Sequence, residues 1–239
     1  MFRPSVSWTP GQARGDEQES DNMPIRAILF DLDGTLVDSN DLHVDAWEKA
    51  FARRGHHVLR ERIRPQIGKG GDTFVPALLP DLSEDEQEAL ADAHGELFQG
   101  EHLATVKPFP GAHDLVARVK RAGMKVALAS SAAQTELDHY IDLLGIRDLV
   151  DATTAADDVR TSKPAPDIVA VALEKLGVAP DEAVFVGDTP YDIESGAKAG
   201  VATVAVLSGG FPRDTLSGAK AVYADAAALA AAWPEWIDI

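Results

Sequence analysis

Hydrophobic positions along the chain fall into two patterns. Short, mostly apolar runs occur at 25–30, 125–129, 149–153, 183–186 and 201–206, and they predict buried strands. Between them apolar residues recur every three or four positions, the spacing of amphipathic helices. Strands alternating with helices imply an α/β fold whose parallel sheet is covered on both faces. One interval breaks the alternation. From 39 to 105 there is no strand pattern, and helices are predicted over 40–54, 72–79 and 83–99, the last opened by the capping signal Ser83-Glu84-Asp85-Glu86. The interval ends at Lys107-Pro108-Phe109-Pro110-Gly111, a boundary rich in Pro and Gly. The chain thus divides into a core, 23–38 and 106–239, and a helical insert, 39–105. Residues 1–22, poor in aliphatics, read as a disordered tail, and the Ala-rich stretch 225–233 as a plain surface helix.

Composition narrows the function classes. The chain has 239 residues, 45% of them hydrophobic, enough for a core and a smaller insert. No stretch approaches the ~20 consecutive apolar residues that span a bilayer, and no leader pattern opens the chain, so a cytoplasmic protein is expected. The absence of cysteine removes disulfides, thiolate nucleophiles and sulfur-bound zinc. With 39 acidic against 22 basic residues the formal charge is -17, which argues against nucleic acid and anionic membranes as partners. An anionic ligand would need a local positive device, such as a bound cation.

The first strand runs into Ala27-Ile28-Leu29-Phe30-Asp31-Leu32-Asp33-Gly34-Thr35-Leu36-Val37-Asp38-Ser39. Residues two apart in an extended segment project to one side, so Asp31 and Asp33 can face one site at the carboxyl end of the strand, where open α/β sheets bind ligands. Two unit charges ~4 Å apart repel by about 4 kcal/mol at an effective dielectric of 20, so a cation or a proton must offset them. Three other predicted strand or helix ends carry polar residues. Ser130 and Ser131 follow 125–129, Lys163 precedes a helix with Pro164 at its expected first position, and Asp188 follows 183–186 with Asp192 four residues on. Each has a plain explanation taken alone: Ser131 as the cap of a helix from Ala132, Lys163 as a solvated loop residue, Thr189 and Asp192 as a capping box around Pro190. Their order and their common placement at strand ends favour a shared site.

Together these stretches resemble the haloacid dehalogenase superfamily, in the branch with a helical cap inserted after the first motif. The resemblance covers residues 24–224. It implies a Rossmann-like core with a mobile cap, and phosphoryl transfer through an aspartyl-phosphate. It also implies Asp31 as nucleophile, Asp33 as acid/base, and Ser130 and Lys163 as the groups that hold the phosphoryl oxygens. Mg²⁺ would be held by Asp31, the backbone carbonyl of Asp33 and Asp188, with Asp192 as an outer ligand or orienter. Oxygen-only ligands suit that ion. Candidate substrate contacts are Ser131, Lys69 beside three glycines, and His43, which falls where the related β-phosphoglucomutase carries a hinge-side histidine.

The expected function is Mg²⁺-dependent hydrolysis of a small phosphorylated metabolite, phosphoglycolate-like or a sugar phosphate. Members that act on carbon–halogen or carbon–phosphorus bonds lack the second aspartate, so Asp33 favours phosphate esters. A phosphomutase is the nearer alternative, although Gly70 and Gly71 stand where the mutase resemblance would expect Ser and Arg on a distal phosphate. A phospho-acceptor switch is the remoter one, and it would need neither the insert nor Asp33.

Overall fold

The computed structural model describes residues 24–237; the tail expected over 1–22 lies outside them. Within the described residues, eight strands are β1 (Ala27–Phe30), β2 (Val37–Asp38), β3 (Lys107–Pro108), β4 (Lys125–Ala129), β5 (Ala152–Thr154), β6 (Ala183–Gly187), β7 (Ala202–Val206) and β8 (Ala221–Tyr223). Nine α-helices, besides short 3-10 and π turns, are α1 (Asn40–Arg53), α2 (Arg60–Ile63), α3 (Gly71–Leu78), α4 (Glu84–Leu97), α5 (Ala112–Arg121), α6 (Gln134–Leu144), α7 (Asp167–Leu176), α8 (Pro190–Lys198) and α9 (Ala226–Ala231). Among the described residues no helix is long and apolar enough to cross a membrane.

Six strands form a parallel sheet in the order β5-β4-β1-β6-β7-β8, which makes this a Rossmann-like α/β fold. All four residues of β1 are buried, because the strand has neighbours on both edges and packed layers on both faces. Its alternate residues serve different cores. Ile28 and Phe30 join Val126, Leu128, Val184 and Val186 under α5 and α6, while Ala27 and Leu29 join Ala127, Phe185 and Val169 of α7. That division explains why β1, β4 and β6 read as continuous apolar runs. The chain leaves β1 for β4 on one side and returns to β6 on the other, so the strand order reverses between β1 and β6. Polar residues after those two strands therefore meet in one crevice.

Between β2 and β3 the chain is helical. Val44, Trp47, Phe51, Ile63, Phe74 and Leu90 bury one another in a separate apolar cluster of α1 to α4. Ser83 caps α4 as expected, accepting from the Glu86 N–H while Glu86 accepts from the Ser83 N–H. The strands β2 and β3 pair antiparallel, Val37 with Pro108 and Asp38 with Lys107, so the two crossings into the helical segment run side by side. No pattern predicted them, since two-residue strands carry no periodicity.

Three local expectations are corrected. The Ala-rich α9 is not a plain surface helix: Ala226 and Leu229 are buried, and beyond it Trp236 is fully buried with its indole N–H donating to Leu229 O at 3.0 Å. The α6 helix opens at Gln134 with Ala133 as its cap, so Ser131 is not a helix cap. The α7 helix opens at Asp167 after Pro166, which leaves Pro164 in a turn rather than at the first helical position.

Candidate active site

The loop after β1 is a tight hairpin held by its own backbone. The N–H groups of Thr35, Leu36 and Val37 all donate to Leu32 O, and the Asp31 N–H donates to Val186 O on β6 at 2.9 Å. Gly34 has a φ of 76°, and a Cβ there would lie 2.2 Å from the Asp188 carboxylate, so only glycine fits. This close approach brings the ends of β1 and β6 together. Thr35 Oγ1 donates to Asp188 Oδ1 at 3.1 Å and lies 3.3 Å from Asp31 Oδ2, while Asn40 Nδ2 donates to Asp188 Oδ2 at 2.9 Å.

Lys163 is 1% exposed, and its ammonium lies 2.5 Å from Asp31 Oδ1 and 2.8 Å from Asp192 Oδ1. The plain reading of a solvated loop lysine is thereby excluded. Asp192 is also fixed by the expected capping box: its Oδ2 accepts from the Thr189 N–H and hydroxyl, while its own N–H donates to Thr189 Oγ1. Asp31, Asp188 and Asp192 are all buried, with one oxygen of each within 4.8 Å of the others. Lys163 pairs with Asp31 and Asp192 but not with Asp188, so the three carboxylates, when ionised together, carry more negative charge than this one ammonium offsets. Burial pushes the Asp31 carboxyl up to about 7, with Lys163 opposing and Asp192 and Asp33 adding to it. Burial, then Asp192 and Asp31, hold Asp188 well above the usual carboxylate range. Burial works against the Lys163 charge, but Asp192 and Asp31 outweigh it and raise the ammonium above its ordinary value. A buried, all-oxygen donor set with excess negative charge fits a divalent cation such as Mg²⁺.

Asp33 lies on the other side of the hairpin and is treated differently. Its Oδ1 accepts from Ser39 Oγ at 2.5 Å and Tyr140 OH at 2.9 Å, with His43 Nε2 at 3.1 Å. Burial alone would raise its pKa, but the His43 charge and these hydrogen bonds outweigh that and hold it below the usual range. For His43 burial works against the charge, and Asp33 more than restores it. His94 shifts well below its ordinary value, from burial first and the neighbouring His43 second. Both ring nitrogens of His43 are engaged, Nε2 against Asp33 and Nδ1 3.2 Å from His94 Nε2, so a charged His43 would donate to both. His43 also stacks on Phe98 at 3.7 Å, so it is no plain polar helix position.

A cavity of about 490 Å³ opens between these strand ends and the helical segment. Asp31, Asp33, His43, Lys69, Ser130 and Ser131 all line it. The Ser130 hydroxyl is buried and accepts from the Ala132 N–H at 3.0 Å, while the Ser131 hydroxyl oxygen is buried and has no hydrogen-bond partner among the described residues. Lys69 reaches the wall, but its ammonium donates to Gln66 Oε1 at 2.6 Å and lies 4.6 Å over the Tyr191 ring. The residues singled out from the sequence thus border one space, except Asp188, Asp192 and Lys163, which lie beneath it.

Sequence reasoning missed Thr35, Ser39, Asn40, Tyr140 and His94. The first three lie in or beside the first motif, and their nearness to Asp31 and Asp33 was the available signal. Tyr140 and His94 come from α6 and α4 by packing alone, and nothing local marked them.

A Rossmann-like α/β protein with buried carboxylates gathered at its strand switch is the class that this fold and site define. The profile of the haloacid dehalogenase-like hydrolases matches residues 28–206, and the chain belongs to that family. It is 31% identical over 186 residues to a pyrophosphatase, PpaX, of Bacillus cereus (strain AH820), an alignment that spans 77% of this chain and 84% of that protein. Among solved structures, a hydrolase from Pseudomonas syringae aligns with a TM-score of 0.83 at 27% identity, over 89% of this chain and 99% of the other. CbbY from Rhodobacter sphaeroides in complex with phosphate aligns with a TM-score of 0.76 at 29% identity, over 90% of this chain and 100% of the other.

Proposed function

We propose that the protein is a phosphatase of a small phosphorylated metabolite, phosphoglycolate-like or a sugar phosphate, working through an aspartyl-phosphate on Asp31. One observation carries the reading: Asp31 and Asp33 border the same cavity, one paired with a buried lysine and the other with three hydrogen-bond donors. An Asp31 oxygen attacks phosphorus in line, and the ester P–O bond breaks as the new one forms. The leaving oxygen takes a proton delivered through Asp33, whose neighbour His43 holds one 3.1 Å away. Water then attacks the aspartyl-phosphate, gives its proton to Asp33, and releases inorganic phosphate while Asp31 returns to the carboxylate. With its depressed pKa, Asp33 suits the second half of this cycle best.

Lys163 and Ser130 hold the phosphoryl oxygens, Lys163 turning from Asp31 toward the charge that builds on them. Asp31, the Asp33 carbonyl and Asp188 would hold Mg²⁺, with Asp192 orienting Lys163 and the outer shell. When bound, the ion neutralises phosphoryl charge and relieves the crowding of the carboxylates. The helical segment, 39–105, acts as a cap that excludes water, and Ser131, Lys69 and His43 stand on the substrate side of the cavity. The phosphate-bound CbbY, and a mutant of CbbY in complex with xylulose-(1,5)bisphosphate, agree with a phosphorylated substrate.

The test is a panel of phosphorylated metabolites assayed for phosphate release with Mg²⁺, wild type beside Asp31→Asn. Release by the wild type and none by the variant, at unchanged melting temperature, is the expected result. Sugar-phosphate isomers that interconvert faster than phosphate appears would point to a mutase. A phosphoprotein that persists for minutes without release would point to a switch.

A further inference from the structure

The cavity wall away from Asp31 has an unusual charge balance for a pocket that would take phosphorylated compounds. Asp92 and Glu96 on α4 stand at its rim, and Glu136 on α6 lies within it, 4% exposed. The Glu136 carboxylate is held by the Ala133 backbone N–H and by Gln99 Nε2 at a long 3.5 Å, with no cationic side chain paired to it among the described residues; burial raises its pKa above the usual carboxylate value. Glu136 lines the cavity, and nothing in the reaction scheme uses it. The one lysine in the wall is Lys69, whose ammonium is already engaged by Gln66 and Tyr191. His43 is committed to Asp33. Gly70 and Gly71 cannot be replaced by a cationic grip without rearrangement, because a Cβ would meet Ser162 Oγ at 2.1 Å or Ala91 Cβ at 2.6 Å.

A leaving group bearing a second phosphate or a carboxylate would meet three carboxylates there and no uncommitted cation among the described residues. Hydroxyl groups would instead find ready acceptors, and a charged acceptor makes the stronger hydrogen bond. We infer that the cavity selects phosphate esters whose leaving group is hydroxylated and carries no second anionic group, and that Glu136 makes this choice. The inference rests on the phosphatase reading and narrows it toward sugar and polyol monophosphates, away from phosphoglycolate, pyrophosphate and bisphosphates. Discrimination arises because a buried carboxylate left facing an anion costs transition-state binding.

Matched pairs test it: glycerol 3-phosphate against 3-phosphoglycerate, and fructose 1-phosphate against fructose 1,6-bisphosphate. The wild type should favour the first member of each pair at least tenfold in kcat/KM, and Glu136→Gln should shrink that ratio severalfold. Equal or reversed preference in the wild type would overturn the inference while leaving the phosphatase reading in place. A ratio unchanged in a folded Glu136→Gln protein would remove Glu136 from the choice. Binding supplies a readout independent of turnover. In Asp31→Asn, the hydroxylated member of each pair should raise the melting temperature more than its anionic counterpart, and adding Glu136→Gln should narrow the gap. No phosphate release from any compound would defeat the phosphatase reading, and the binding order would still decide the selectivity.

Discussion

The two walls of the cavity are built on opposite principles. At the strand ends Asp31, Lys163, Asp188 and Asp192 are buried and half-buried Asp33 joins them, each braced by at least one other group, through Thr35, Asn40, Lys163, the Thr189 box and Tyr140. On the opposite wall the insert's Asp92 and Glu96 are exposed and its Lys69 is tied to a neighbour on its own loop, while Glu136 of the core helix α6 is held by the Ala133 backbone and a long contact from Gln99. Groups that must meet a phosphoryl centre to within fractions of an ångström need a rigid frame. Groups that sort leaving groups need only the right charge and room. Chemistry and choice are thereby separated in space, and substitutions should separate them too.

The largest effect should come from the braced wall. Asp188→Ala should abolish Mg²⁺-supported activity or require far more of the ion, and the pH dependence of stability should reveal why. Burial pushes the folded Asp31 carboxyl up to about 7 from an ordinary value of 3.8, so the folded state holds the extra proton between those values. Without metal, the contribution of this group to stability therefore falls as pH rises from about 4 to about 7. A divalent cation bound there would take the place of the proton, and its stabilising effect should grow across the same window. Melting temperatures of chelated and Mg²⁺-loaded protein at pH 5.5 and pH 8 should diverge with pH, and Asp188→Ala should flatten the divergence. Equal shifts at both pH values would place the ion elsewhere.

A middle-sized effect is expected at Tyr140, which donates one of the three hydrogen bonds to Asp33. Tyr140→Phe removes that bond and should slow turnover about three- to tenfold at neutral pH. The lost donor lets the Asp33 pKa climb back toward its ordinary value, so the acid limb of the kcat/KM profile should move to higher pH. A rate loss with an unmoved limb would mean that Tyr140 serves packing alone.

The smallest effect belongs to the sorting wall. A lysine whose ammonium contacted the leaving group would be worth roughly ten- to a hundredfold on the preferred substrate. Because Lys69 spends its ammonium on Gln66 and the Tyr191 ring, Lys69→Met should stay within about threefold on every substrate. A tenfold loss confined to one class of ester would erase the contrast between Lys69 and Glu136.

The same contrast marks what could be read from the sequence. The strand-end chemistry was legible because β1, β4 and β6 are unbroken apolar runs, and whatever follows such a run is delivered to the sheet's carboxyl edge. The Thr189 and Ser83 boxes were legible because capping depends on a fixed spacing of three residues. Partners supplied across the fold were not. His94 reaches His43 from 51 positions away and Tyr140 reaches Asp33 from 107, by helix packing that leaves no local trace. β8 escaped notice because three half-buried edge residues have too little pattern, and the burial of α9 was hidden because alanine reads alike on a core face and a surface face.

The pairing of β2 with β3 carries a consequence for how such a molecule can be rebuilt. Antiparallel partners lie about 5 Å apart, so the excursion from Asp38 to Lys107 begins and ends at almost one point. A detour with coincident ends leaves the ground plan of the sheet untouched whatever its length, since the cost of closing it rises only with the logarithm of the residues enclosed. The insert's share of the sorting wall, Lys69, Asp92 and Glu96, is in that sense a plug-in part, while Glu136 stays with the core on α6. The insert can be shortened, lengthened or exchanged at a single socket while the strand-end carboxylates stay in register.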